Sequence, residues 1–136
     1  PPLWVCGGGE KVTLKLLAKY GDYGNWDVDV EGFIHKSEIL KEHCLNEGRD
    51  FNEIGRTLHT NVLIAENSTD LDSKINKLAE YTNIPKEYYY DRPLIGTKEQ
   101  VFSTIERFEE EGCSYLIAYV PDIVWGDTLD ILSELN

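Results

Sequence analysis

The chain has 136 residues, 41% of them hydrophobic and 28% charged, enough for one ordinary globular domain with its own core. A net charge of -12 argues against a nucleic-acid surface, because phosphates repel so acidic a chain. No apolar run approaches the roughly 20 residues of a membrane-spanning helix, and the opening residues show no charged-then-apolar leader.

The acidic balance fits plain solubility. Cys6, Cys44 and Cys113 are odd in number and far apart, with neither a CxxC pair nor a disulfide framework. A reducing, cytoplasmic home is therefore expected. His35, His43 and His59 lack metal-ligand spacing and read as surface or packing residues, so no metal site is expected. The chain contains no methionine and opens on Pro1-Pro2 and an apolar strand. That reads as an excised piece or an incomplete reading frame.

In chain order, Pro2 to Cys6 is a short run of β-formers ended by Gly7-Gly8-Gly9. A helix is predicted from about Lys11 to Tyr20, with Val12, Leu16, Leu17 and Tyr20 on its inner side and Gly21 as C-cap. The second strand lies near Tyr23 to Trp26. Phe33, Ile34, Leu40 and Cys44 mark the inner face of a second helix ending at Gly48. Asp50 and Glu53 have capping-box spacing for one brief turn. The third strand runs from Thr57 to Ala65, and Leu71, Ile75 and Leu78 recur at helical spacing after it. Tyr81 to Ile95 reads as a long irregular connection, unusual unless it packs or works. Thr97 and Gln100 form a second capping box, opening a helix with Val101, Phe102, Ile105 and Phe108 inward. Gly112 ends that helix. Tyr115 to Val120 is an unbroken apolar run, as for a parallel strand covered on both faces. A last helix is predicted from about Asp127 to Leu135.

These four strand-then-helix units alternate strictly, which predicts a parallel α/β sheet in a single domain over residues 1–136. The segment richest in chemistry is Cys6-Gly-Gly-Gly-Glu-Lys-Val-Thr13. Glycines let backbone amides approach a ligand, and the following helix N-terminus offers unsatisfied donors and partial positive charge. That combination suits a phosphate, with Lys11 and the Thr13 hydroxyl as further contacts. A tight turn with no ligand accounts for the glycines equally well. Val12 stands where a P-loop needs Ser or Thr and where a dinucleotide fingerprint needs its third glycine, which excludes both motifs. Trp26, at a strand end after Asn25, suits either the core or the side of a planar ring. His59 and Asn61 alternate with Leu58, Thr60 and Val62, a pattern that fits a polar barrel interior.

Three segments then carry a resemblance. Pro1-Pro-Leu-Trp-Val-Cys-Gly-Gly-Gly-Glu-Lys-Val-Thr-Leu, followed by Ala18-Lys-Tyr-Gly-Asp, resembles the fifth-strand segment of luciferase-like monooxygenases. Leu40 to Asp50 is similar to that family's sixth helix and its exit. Ile95-Gly-Thr-Lys-Glu-Gln-Val101, with Glu111-Gly-Cys113 and an apolar strand, resembles the approach to the eighth strand; Lys98 stands where proline is common. The resemblance implies a (β/α)8 TIM-type barrel, of which these four β-α units are strands five to eight, a half-barrel. A complete barrel takes roughly 250 residues.

The family uses reduced FMN or the deazaflavin F420 in oxygenation or hydride transfer. Its phosphate turn after the fifth strand matches Gly7, Gly8 and Gly9, with Lys11 and Thr13 nearby. Its ring-side aromatic matches Trp26. Nothing in the chain matches residues of the first four strands, so no catalytic residue is assigned. Two functions follow. One is a portion of an F420- or FMN-dependent oxidoreductase acting on a small molecule. The other is a non-catalytic half-barrel that self-associates and binds at most a phosphorylated ligand. The unpaired edges near Trp4 and Ile117 predict a homodimer that completes the barrel.

Overall fold

The computed structural model describes residues 1–135. The chain divides into two compact units, Pro1–His59 with Phe108–Ile117, and Thr60–Arg107 with Ala118–Asn136. Among the described residues no helix is long and apolar enough to cross a membrane.

The first unit holds β1 (Trp4–Cys6), α1 (Thr13–Tyr20), β2 (Tyr23–Trp26), α2 (Val30–Glu47) and a 3-10 turn at Phe51–Glu53. It also holds the first half of β3 (Gly55–Ala65). β1 pairs parallel with β2 and β2 with β3, so Cys6, Asn25 and Thr57 stand in one row across three strands. Trp26 aligns with Leu58 in the next row, whose side chains alternation sends to the opposite face.

α1 is turned from its expected face. Leu14, Leu17 and Ala18 are buried, whereas Val12, Leu16 and Tyr20 are exposed. In eight residues two apolar sets compete, and the glycines beneath the helix choose between them. A Cβ on Gly21 or Gly24 would come within 2.6 Å of the Leu17 methyls, so both positions leave the space that Leu17 fills. Gly21 caps the helix as expected, its amide donating to the Leu17 carbonyl at 2.9 Å.

Helix α2 starts where the Asp29 carboxylate accepts the Gly32 amide at 2.8 Å, and it ends at Gly48, whose φ of 68° is left-handed. Its buried stripe is Val30, Phe33, Ser37, Leu40 and Cys44; the expected Ile34 is only half-buried. Phe33 takes Trp26 edge-on at 5.3 Å and Phe108 at 5.6 Å, the centre of this unit's core. Burying each such ring contributes about 1.5–3 kcal/mol. Asp50 caps the short turn through the Asn52 amide, but Glu53 does not complete the expected box and pairs with Arg49 at 3.6 Å.

Arg56 is a half-buried cation of this unit. Its guanidinium lies over the rings of Phe51 and Phe33 and donates to Ser37 Oγ at 2.9 Å and the Glu111 carbonyl at 2.8 Å. Desolvation pulls its pKa below the ordinary arginine value, with Cys113 and Glu111 opposing. Gly112 has a φ of 85°, and a Cβ there would meet Arg56 Nη2 at 2.2 Å. Glycine is required on both counts.

In the second unit the end of β3 pairs parallel with β4 (Leu94–Thr97). Around them lie α3 (Ser68–Thr82), α4 (Lys86–Tyr90), most of α5 (Lys98–Glu110) and α6 (Thr128–Leu132), followed by a 3-10 turn at Ser133–Leu135. Leu63 and Ala65 pack on Leu71, Ile75, Leu78 and Tyr89. The stretch from Tyr81 to Ile95 is thus not irregular: it contains α4 and runs into β4. The sheet accordingly has five strands rather than four. A four-residue strand abutting a helix cap leaves little periodicity to read. Of the expected capping box the Gln100 arm is made, its Oε1 accepting the Thr97 amide at 3.0 Å.

The fifth strand, β5 (Cys113–Tyr119), pairs with β3. It is not covered on both faces, since Tyr115, Ile117 and Tyr119 are 55%, 43% and 74% exposed. An unbroken apolar run records missing alternation, and aromatic side chains on an open face produce the same run.

Candidate functional site

The site begins where β1 ends. Gly7 has a φ of 107°, a conformation that needs glycine, and its amide reaches the Asn25 carbonyl at 3.4 Å. The chain then winds into α1, with Leu14 donating to the Gly9 carbonyl at 3.0 Å and Leu16 to that of Val12 at 2.9 Å. Among the described residues, the amides of Gly8, Gly9, Glu10, Lys11 and Val12 donate to no backbone carbonyl. Nor does any side chain accept from them. Five donors therefore remain at the positive end of a helix.

Thr13 and Gly9 lie together: a Cβ on Gly9 would sit 2.8 Å from Thr13 Oγ1. Lys11 is exposed on the same turn. The structure therefore brings Gly7, Gly8, Gly9, Lys11 and Thr13 into one short winding. Trp26 is not part of it. Its indole is 1% exposed against Phe33, on the other side of β2 from Asn25.

Three residues of α2 brace the turn, and sequence reasoning assigned none of them a role there. Lys36 Nζ donates to the Gly8 carbonyl at 2.8 Å. His43 Nε2 bonds the Glu10 carbonyl at 2.8 Å, and His35 Nε2 meets Glu10 Oε1 at 3.1 Å. Lys36 and His43 are seven residues apart, which puts them on one face of the helix beside its buried stripe. That spacing is the only sequence signal that distinguishes them. Lys36 is so close that a Cβ on Gly8 would fall 2.6 Å from its ammonium.

Inward of the turn, Asn25 Nδ2 donates to Cys6 Sγ at 3.9 Å. The Thr57 hydroxyl lies 2.9 Å from the Gly24 carbonyl and 3.0 Å from Asn25 Oδ1. Asn25 and Thr57 are almost wholly buried, whereas Cys6 is exposed. The other thiols are poor nucleophiles: desolvation pushes Cys44 and Cys113 above their ordinary 9.0. At the opposite, N-terminal end of these strands, Trp4 stacks on Tyr23 at 4.4 Å and Tyr115 closes on both. A cleft of about 770 Å³ lies there, lined by Asp22, Tyr23, Glu53 and Tyr115 among others. In parallel α/β folds ligands bind at the other end of the strands, where the glycine turn is. No group of His, Cys, Asp and Glu among the described residues has metal-binding geometry.

No protein-family model and no curated protein matches the chain. Solved structures do. An F420-dependent secondary alcohol dehydrogenase in complex with an F420–acetone adduct superposes with a TM-score of 0.77 at 17% identity, over 99% of this chain and 48% of that one. A coenzyme F420-dependent tetrahydromethanopterin reductase from Methanopyrus kandleri gives 0.63 at 14%, over 96% and 48%. A riboflavin lyase with modified FMN and riboflavin gives 0.73 at 14%, over 99% and 42%. At such identities the likeness is one of fold. The chain has one half of the TIM-barrel-like luciferase fold, and it spans about half the length of these neighbours.

Proposed function

We propose that the chain is the phosphate-holding portion of an F420- or FMN-dependent oxidoreductase. The carrying observation is the run of five uncommitted amides from Gly8 to Val12 at the end of β1. A phosphate is a multiple acceptor and matches that donor set. Thr13 Oγ1 and the exposed Lys11 would add a hydroxyl donor and a charge. Lys36 would hold the Gly8 carbonyl turned away from the anion. Trp26 serves from behind β2 as the packed side chain that fixes the strand. The bound cofactor would supply hydride or oxygenation chemistry, and this chain would supply binding and orientation. The substrate in this reading is a small molecule, with no catalytic residue assigned. The fold neighbours named above support both cofactors. Acidic charge and three unpaired cysteines support a cytoplasmic setting.

Titration calorimetry with FMN and with F420 tests the proposal. Gly8→Val drives a side chain into Lys36, and Thr13→Ala removes the hydroxyl. Each is expected to weaken binding about tenfold, the equivalent of one hydrogen bond to a charged group. Equal affinity in both variants and the parent removes the phosphate role.

The exposed face of Trp4, Tyr115 and Ile117 favours a second element of the reading, a homodimer that covers it. An aromatic face on a sheet is a pairing surface. Light scattering after size exclusion should give twice the chain mass, and Ile117→Lys should halve it. A monomer at micromolar concentration, unchanged by that substitution, excludes self-association. Without cofactor turnover, a dimer that still binds phosphate would be the non-catalytic half-barrel.

A further inference from the structure

In the second unit, Ile64 near the end of β3 has both its backbone groups taken by side chains. Its amide donates to Thr128 Oγ1 at 3.0 Å, and its carbonyl accepts from Lys74 Nζ at 2.6 Å. In a parallel strand the amide and carbonyl of one residue point to the same edge, so side chains close that edge where a further strand would pair. The same atoms reach on into the segment after β5. Thr128 Oγ1 donates to Asp122 Oδ2 at 2.8 Å, and Lys74 pairs with Asp122 at 3.3 Å and with Asp127. The Asp122 carbonyl accepts the amides of Trp125 and Gly126. A Cβ on Gly126 would fall 1.9 Å from Asp122 Oδ2, so only glycine allows this turn to fold over its own carboxylate.

We propose that Asp122 to Leu132 is a strap, latched by Lys74, Asp122 and Thr128, whose release opens the C-terminal end of β3. The attachment is mainly polar, with Ile131 as a buried apolar anchor and Lys77 over the Trp125 ring. Ile123, Val124 and Leu129 are 63%, 91% and 48% exposed, while Asp122, Thr128 and Ile131 are buried. A segment held by a few polar contacts opens as a unit well below the free energy of global unfolding. The latch is also incompletely satisfied: Asp122 is fully buried, yet its Oδ1 has no partner among the described residues. An unpaired oxygen of that kind biases the closed state towards opening. The strap lies at the strand end where parallel α/β folds place their ligands, which makes it a gate rather than a simple clasp.

Native-state hydrogen exchange on the full chain tests this, comparing the parent with Thr128→Val and with Thr128→Ser, which keeps the hydroxyl. In Thr128→Val the Ile64 amide and those of residues 123–132 are expected to speed up together by about tenfold, with Leu71 to Leu78 unchanged. Thr128→Ser should match the parent. Asp122→Asn weakens the ion pair without removing the hydroxyl's acceptor, and it should accelerate the same set. Exchange confined to Ile64, or a strap that exchanges in the parent only at the global unfolding rate, overturns the proposal.

Discussion

Arg56 and Gly112 form a pair whose coupling can be measured. Arg56→Ala removes two hydrogen bonds from a charged donor, about 1.5 kcal/mol each at the low end for such bonds, plus about 1 kcal/mol of ring contact. The expected loss is thus about 4 kcal/mol. Gly112→Ala acts from the other side. A side chain at φ 85° costs about 1 kcal/mol, and its Cβ, 2.2 Å from Nη2, displaces the guanidinium and breaks the same two bonds. It too should cost about 4 kcal/mol. Once Arg56 is alanine there is nothing left to displace. Gly112→Ala then costs only its backbone term, so the double variant loses about 5 kcal/mol and the coupling is about 3 kcal/mol. Urea unfolding followed by tryptophan fluorescence supplies all four corners of the cycle. Costs that add to within about 0.5 kcal/mol would refute the reasoning, because they would mean that Arg56 does not occupy the space over Gly112.

The pair of Asp127 with Lys74 makes a pH-dependent contribution. The Lys74 hydrogen bond holds the Asp127 carboxyl below its ordinary 3.8, so the stabilisation is present above that value and is lost as pH falls through the depressed one. Asp127 is more than half exposed, so screening leaves a few tenths of a kcal/mol. Asp127→Asn should flatten the stability profile below pH 4 by that amount, and an unaltered profile would show the pair contributes nothing. β3 and β5 each give residues to both compact units, so the two are expected to melt as one domain. A calorimetric scan should show one transition whose van't Hoff and calorimetric enthalpies agree; two resolved peaks would make them separate domains.

Strong periodicity and end signals were legible in the sequence. Phe33, Leu40 and Cys44 predict the inner face of α2, and Asn25-Trp26 predicts the end of β2. The glycine turn was legible because three glycines in a row favour neither strand nor helix, so the chain must turn between the two. What failed was short or rotational. Leu14 and Leu16 compete for the same inward place on a helix of eight residues, and only the glycines beneath Leu17 decide. Leu94–Thr97 is too brief for alternation to register. Lys36 and His43 brace the turn from positions 28 and 33 residues beyond the carbonyls they hold, so their role depends on tertiary placement that no local pattern encodes. Trp26 shows the reverse limit: a residue type compatible with two roles had its side settled only by the pleat of β2.

The row of Cys6, Asn25 and Thr57 also governs how the strands find their alignment. Each of these side chains meets a polar neighbour only when all three strands are level. A slip of one residue in β2 would turn Asn25 towards the face of Phe33 and Leu58, and put the Trp26 ring against a thiol and a hydroxyl. Apolar strands alone tolerate several near-equivalent alignments, since one leucine substitutes for another. A buried amide flanked by its only two partners does not, because every shifted pairing strands its hydrogen-bonding groups. The row therefore works as a key cut across three strands, admitting one alignment. That alignment delivers the Asn25 carbonyl to the Gly7 amide, where the glycine turn begins.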